Sequence, residues 1–204
     1  MAAAAGLGPV VRKDVGVRLP SPAPSGYSPH QGSQLGFVVD PPLDADLREE
    51  IIAVWVDATN AGGAVGFVAP VSVADVRPTA EAAFAGVATG VDRLLVGVDA
   101  DGLAAFVFIT SNRFDLKEHW RVLKRVVVAP GRQGRGYGLA LMSEAERVGR
   151  SMGLAALQVT VRDGHGLPAF YRRCGYREVG RLPGALRVAD GDDRDEIIMW
   201  RDLA

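Results

Sequence analysis

The sequence predicts one domain of mixed α/β class, a mixed β-sheet with helices on both faces. Three observations lead there. Apolar runs of strand length alternate with stretches of helical period, in the order β-α-α-β-β-β-α-β-α-β-β. An Asp-Gly pair inside "VGVDADGLAAF" joins two of the strands as an antiparallel hairpin. A strand, a glycine-rich turn, a helix and another strand follow in residues 121–161, and such a crossover demands a parallel pair in the same sheet.

Taken in order, "LGFVVD" (35–40) is an apolar run closed by Pro41 and Pro42 and reads as the first strand. Asp46 and Glu49 have capping-box spacing, and Leu47, Ile51, Val54, Trp55 and Ala58 repeat at helical period to about Thr59. "NAGGAVGF" breaks that helix. A second is expected from Pro78, suited to a first helical turn, to Gly90. The hairpin strands follow, then "RVLKRVVVA" (121–129), rich in β-branched residues. Leu141, Ala145, Val148 and Met152 mark a helix that Gly153 closes. "LAALQVTV" (154–161) is a buried strand and "PAFYRRC" a short helix stopped by Gly175. "YREVGRL" and "EIIMWRDL" are the last two strands.

The 204 residues fit one core domain, expected over 34–204. Residues 1–33, ending in "LPSPAPSGYSPHQGS", are too rich in Pro, Ser and Gly to bury much apolar surface, so a flexible tail carrying Tyr27 and His30 is expected. With 23 Lys+Arg against 24 Asp+Glu, the balance gives no reason to expect nucleic acid or an anionic membrane as partner. One cysteine, Cys174, excludes an internal disulfide, and no Cys/His spacing suggests a metal. The opening "MAAAAGLGPVVRKD" lacks the pattern of a signal peptide, and no run of 18 apolar residues occurs, so the expected location is cytoplasmic.

The segment "VVVAPGRQGRGYGLALM" (126–142) carries the chemistry. Gly131, Gly134, Gly136 and Gly138 leave bare backbone between a strand and a helix, where free N–H groups and the positive helix end converge. Such a spot binds phosphate, and Arg132 and Arg135 add donors. A P-loop is excluded because Tyr137 and Gly138 stand where Lys and Ser/Thr belong. A G-x-G-x-x-G fingerprint is excluded because the third position falls on Leu139 or Leu141.

The spelling Gln133-Gly134-Arg135-Gly136-Tyr137-Gly138 resembles the acyl-CoA loop Q/R-x-x-G-x-G/A of the GNAT superfamily of N-acetyltransferases. "FYRRCGY" (170–176) resembles that family's second signature, matching at Phe170, Tyr171, Gly175 and Tyr176. The resemblance covers about residues 34–203 and implies the GNAT fold, with strands splayed at the CoA site. It implies acetyl-CoA as co-substrate, no metal, and a primary amine as acceptor. Main-chain groups of Val126, Val127 and Val128 would meet the pantetheine arm, and Gln133, Gly134, Arg135, Gly136, Tyr137, Gly138 and Leu139 the pyrophosphate. Tyr171 would be the acid for the departing thiolate. Reference values of about 10 for phenol and 8.5 for thiol put full transfer about 2 kcal/mol uphill in water, so the hydroxyl acts chiefly as a hydrogen-bond donor.

The chain departs from the family where Gly164 replaces an Asn often found seven positions before the Tyr. Asp163 and His165 offer themselves nearby. Glu118 and His119, ahead of the strand at 121–129, are the candidate general bases, although an amine of pKa near 8 is about 10% neutral at pH 7 without one. Asp190, Asp192, Asp193, Asp195 and Glu196 read either as a solvated turn or as a lure for a cationic amine. Trp55, Phe67, Phe84 and Trp120 read as acceptor-pocket wall or as core. "GRLPGA" is similar to members that acetylate small toxins and antibiotics. The expected partner is therefore a small-molecule amine, with a homodimer left open. A non-catalytic acyl-CoA sensor and a protein N-terminal or lysine acetyltransferase are the alternatives, and Tyr171 favours an enzyme over a sensor.

Overall fold

The structure, a computed structural model, describes residues 35–164 and 166–203. The expected tail with Tyr27 and His30, and the candidate His165, lie outside the described residues. Seven strands form one sheet in the order β1-β2-β3-β4-β5-β7-β6: β1 (Gly36–Val39), β2 (Arg93–Asp99), β3 (Gly102–Thr110), β4 (Trp120–Val128), β5 (Ala156–Arg162), β6 (Arg177–Ala189) and β7 (Asp192–Asp202). Only β4 and β5 run parallel, joined by the crossover helix α3 (Tyr137–Ser151). The helices α1 (Ala45–Asn60) and α2 (Val73–Ala88) bury Ile51, Ile52, Trp55, Val76 and Phe84 against one face. On the other face, α3 and the short α4 (Leu167–Arg173) bury Leu141, Met142, Ala145 and Tyr171. Central β3 serves both cores. Its Ala105, Val107 and Ile109 point to the α3 side and Phe106 and Phe108 to the α1 side, as period-2 alternation requires.

Three local expectations are corrected. Helix α1 begins earlier because Asp44, not Asp46, caps it, accepting from the Leu47 N–H at 2.9 Å. Glu49 instead forks onto Arg77 of α2 at 2.6 and 2.7 Å. Helix α2 starts at Val73 rather than Pro78, because Ser72 and Asp75 form a reciprocal capping box. Pro78 then lies inside the helix, and the carbonyl it leaves without an N–H belongs to exposed Ala74, where water can take over. The last hairpin is longer than the two short runs suggest. Strands β6 and β7 extend through the acidic segment, leaving only Asp190 and Gly191 at the turn.

That extension settles the acids. Asp193 accepts from Arg187 at 2.8 and 2.9 Å, Asp192 pairs with Arg194, and Asp195 takes Arg181 at 2.8 Å. Arg181 also binds Glu178 and Asp163 at 2.8 and 2.9 Å. These carboxylates neutralise neighbouring arginines rather than forming a free acidic lure.

Candidate active site

The glycine-rich loop closes β4 and opens α3. Gly134 and Gly136 take φ of +77° and +82°, a region that L side chains rarely adopt. A Cβ at Gly131, Gly134 or Gly136 would meet no protein atom within 4 Å, so the protein leaves that space open. Gly138 is different: a Cβ there would come within 3.2 Å of the Phe170 ring, so its absence lets α3 and α4 approach. Gly136 caps α3 with no side-chain bond, leaving the first N–H groups of the helix unsatisfied and aimed outward. A charge there gains about 0.3–1 kcal/mol, up to about 2 when partly buried.

Arg132 does not stand free for a phosphate, contrary to the sequence reading. Its guanidinium binds Asp99 at 2.8 Å and Asp101 at 3.2 Å, tying the loop to the β2–β3 turn. Asp99 also accepts from the Tyr137 hydroxyl at 3.2 Å and the Asp101 N–H at 2.9 Å. Burial opposes the Asp99 charge, but the Asp101 N–H and the Arg132 guanidinium outweigh it and hold the carboxyl below its usual range. Arg135 is exposed on the loop and does not line the cavities described below.

One irregularity in β4 makes the rest of the site. Opposite β3 the register slips between Phe106, facing Val127, and Phe108, facing Lys124, so β4 carries an extra residue at a bulge. Arg125 there has φ +57°. Before the bulge Leu123 packs on the α3 side; after it Val127 packs on the α1 side while Val126 and Val128 turn toward α3. The β4–β5 ladder ends at Leu123↔Val159, so the two strands part beyond that point.

A cavity of about 550 Å³ runs along this split. Val126, Val127 and Val128 line it, then Gln133, Gly134, Gly136, Tyr137, Gly138 and Leu139, with Phe170 and Tyr171 opposite. The Gln133 side chain donates to the Val128 carbonyl at 3.2 Å, which fixes the loop against the strand end. Bare strand edge, open glycines and an uncapped helix end together suit a long ligand with an anionic head.

A second cavity of about 540 Å³ adjoins the first, bounded by 64–68 after α1, by β4 and β5, and by 185–188 of β6. Six residues border both: Ala64, Val65, Val126, Thr160, Val161 and Tyr171. Tyr171 is 6% exposed and is held edge-on by Phe170 and Tyr176, at ring separations of 5.1 and 5.9 Å. Burial above all, with Cys174 adding to it, raises its pKa far beyond that of an ordinary phenol, so the hydroxyl keeps its proton at any physiological pH. Cys174 is pushed up to about 11, chiefly by burial and secondarily by Glu146, and carries too little thiolate to act as a nucleophile.

The other candidates are distributed by the fold. Glu118 and His119 are exposed at the opposite end of β4, where the His119 carbonyl accepts from Ala155 at 2.7 Å. Neither lines either cavity: the second cavity reaches along β4 only to Val122, and Val126, where the two cavities meet, lies about 20 Å of strand beyond Trp120. The structure does not bring these two candidate bases to the cavities. Phe67 lines the second cavity, whereas Trp55 and Phe84 are fully buried core and Trp120 packs on Trp200 at 5.1 Å. Asp163 is occupied by Arg181 and by the Gly164 N–H at 2.8 Å. Glu196, one of the acids the sequence offers for the acceptor side, lines the second cavity, whereas the sequence reading missed Arg125 and Thr160. A basic pair, Lys124 and Arg125, set directly before three valines was the available signal for the first.

Comparison with known proteins agrees with this geometry. The acetyltransferase (GNAT) family model matches residues 48–176. Among solved structures, yncA from Salmonella typhimurium, determined with its cofactor acetyl-CoA, aligns at 17% identity and TM-score 0.67 over 83% of this chain and 94% of that one. A protein provisionally named a phosphinothricin N-acetyltransferase aligns at 20% identity and TM-score 0.67 over 83% and 99%. The ribosomal-protein-alanine N-acetyltransferase from Brucella melitensis aligns at 19% identity and TM-score 0.65 over 81% and 99%. These structures share the fold, and the family match extends over more than half of the sequence. The chain belongs to the GNAT family and is an acetyltransferase.

Proposed function

We propose that the protein transfers the acetyl group of acetyl-CoA to a primary amine of a small molecule, with both substrates bound together. The observation that carries this reading is the position of Tyr171 on the wall common to two adjoining cavities. The slot along Val126–Val128 and the 133–139 loop takes the donor, which supplies an acetyl group already activated as a thioester. The adjoining cavity takes the acceptor. Its enclosure by segments 64–68 and 185–188 supports a small molecule over a folded protein.

Tyr171 holds a proton at its hydroxyl and donates it toward the departing thiolate. The thiolate leaves into the same dry junction, where desolvation raises its basicity as it raises that of the tyrosine. Transfer is then less uphill than the aqueous values suggest. No dedicated base is required: a neutral amine fraction of about 10% at pH 7 costs only about 1.4 kcal/mol. Among the described residues no group of three His, Cys, Asp or Glu is placed to hold a metal. No helix among them is long and apolar enough to cross a membrane.

Tyr171→Phe is the test, scored as CoA release with an amine panel. Transition-state donation predicts kcat and kcat/KM falling together by roughly 10²–10⁴-fold with acetyl-CoA affinity unchanged. The deficit should shrink toward pH 10 as the thiol needs less help. Wild-type kcat in the variant would make Tyr171 packing only, and activity confined to peptide amines would replace the small-molecule acceptor.

A further inference from the structure

The charges around the acceptor cavity do not suit a site made for a bare cationic amine. Lys124, Arg125, Arg162 and Arg187 line it against one carboxylate, Glu196. Arg187 is held by Asp193, and Arg162 stands opposite Glu196 in the β5–β7 ladder. Arg125 has no such partner among the described residues, and its Nε is buried without a hydrogen bond. Burial lowers its pKa without bringing it near neutrality, because a guanidinium stays charged.

Its position is specified closely. The guanidinium lies over the Trp55 ring, 5.0 Å from the centroid, and presses on residue 66, where a Cβ would stand 2.5 Å from it. Glycine at 66 therefore makes room for this side chain. Trp55 is itself fixed by donating from Nε1 to the Val65 carbonyl at 2.9 Å. The guanidinium is thus held against both Trp55 and Gly66 where it lines the cavity, and among the described residues none of its N–H groups meets an acceptor. A half-buried guanidinium held this way, in a left-handed backbone position and with no counter-ion, is unfavourable on its own. A ligand anion would relieve it, and a planar fork suits an oxyanion.

We propose that Arg125 binds an anionic oxygen group of the acceptor, so that the acceptor is amino-acid-like: a primary amine carrying a carboxylate, or an oxyacid of like size, a few bonds away. The cavity sets the reach, because Arg125 and Tyr171 line the same space of about 540 Å³ and an acceptor held by Arg125 has to present its amine at Tyr171 within it. This inference rests on the acetyltransferase reading above and names the substrate class of that same site.

Matched pairs of α-amino acids and their α-carboxamides, assayed by CoA release, test it. The carboxamides hold the more readily deprotonated amine, so a preference for carboxylates has to come from binding. The wild type should favour the carboxylate roughly 10- to 100-fold in kcat/KM, the worth of one or two charge-assisted hydrogen bonds. Arg125→Met, which keeps the apolar stem, should bring that ratio to about 1, and Arg125→Lys should keep part of it. An intact acetyl-CoA thermal shift in each variant certifies its fold. Should Arg125→Met not fold, propionate decides: it should compete with the acceptor and not with acetyl-CoA in the wild type. Equal rates on both members of each pair would remove the anion site while leaving the transferase reading standing. CoA release with no amine in either arm would sink both.

Discussion

Gly136→Ala tests the phosphate loop with a matched control at the other end of the same helix. At φ +82° a Cβ costs about 1–2 kcal/mol, partly offset by the roughly 0.4–1 kcal/mol that a less flexible unfolded chain returns. No protein atom within 4 Å adds a clash. Gly153, just past the other end of α3, has φ +72° and equally open surroundings, but it lies outside both cavities. Both alanine variants should therefore lose similar stability, up to about 6 °C in Tm for a domain of this size. Acetyl-CoA separates them. At 100 times its Kd a ligand adds about 2.7 kcal/mol, or roughly 5–11 °C. A methyl in the open space of the cradle should weaken binding at least tenfold, which leaves about 1.4 kcal/mol at the same concentration and halves the shift. Gly153→Ala should keep the full shift. Differential scanning fluorimetry with and without acetyl-CoA reads both quantities. An undiminished shift in Gly136→Ala, or an equal loss in Gly153→Ala, would refute the placement of the anionic head.

Two further outcomes follow from the loop and the last hairpin. Asp99→Asn removes the charge that holds Arg132, with Tyr137 on the same oxygen, so it should cost about 1–3 kcal/mol of stability and raise the acetyl-CoA Kd, both read from the same melting curves. Because the folded-state pKa of Asp99 is depressed, its contribution is present above the ordinary carboxylate range and should fade as pH falls below it, and the Asn variant should not show that part of the acid sensitivity. Asp192→Asn breaks the pair with Arg194, and neither residue lines a cavity, so acceptor KM and its salt dependence should stay at the wild-type values; a raised KM would restore the acidic lure.

The fold was legible where period and punctuation agree. The Asp-Gly hairpin, the crossover helix closed by Gly153, and the α4 stop at Gly175 fall where the sequence places them, because left-handed φ leaves glycine little competition there. Caps were less legible. Asp44 and Asp46 are both sound N-caps by type, and only the chain direction after Pro42 chooses between them. The acidic segment misled because alternating Asp and Arg look like a solvated turn until the partner strand is known; the cross-strand arginines 181 and 187 make it a ladder. Glu118 and His119 misled for the opposite reason. They precede the right strand, but a nine-residue strand spans about 26 Å, and Val126, where the two cavities meet, is near its far end.

The bulge in β4 was the least legible feature and has the largest effect. An unbroken β4 would keep alternating, and the residues beyond Leu123 would present the other set of side chains to α3. It would also have no cause to part from β5. The one extra residue does three things together. It ends the parallel ladder at Leu123, it exposes the strand edge from Val126 onward to the donor slot, and it turns Arg125 over Trp55 into the acceptor cavity. Valine favours the ladder on either side of it, and a long cationic side chain has reason to leave a dry ladder for a polar cavity. The composition of "LKRVVV" therefore fits a strand that breaks register at Arg125, and the donor and acceptor sites are adjacent because one irregularity makes both.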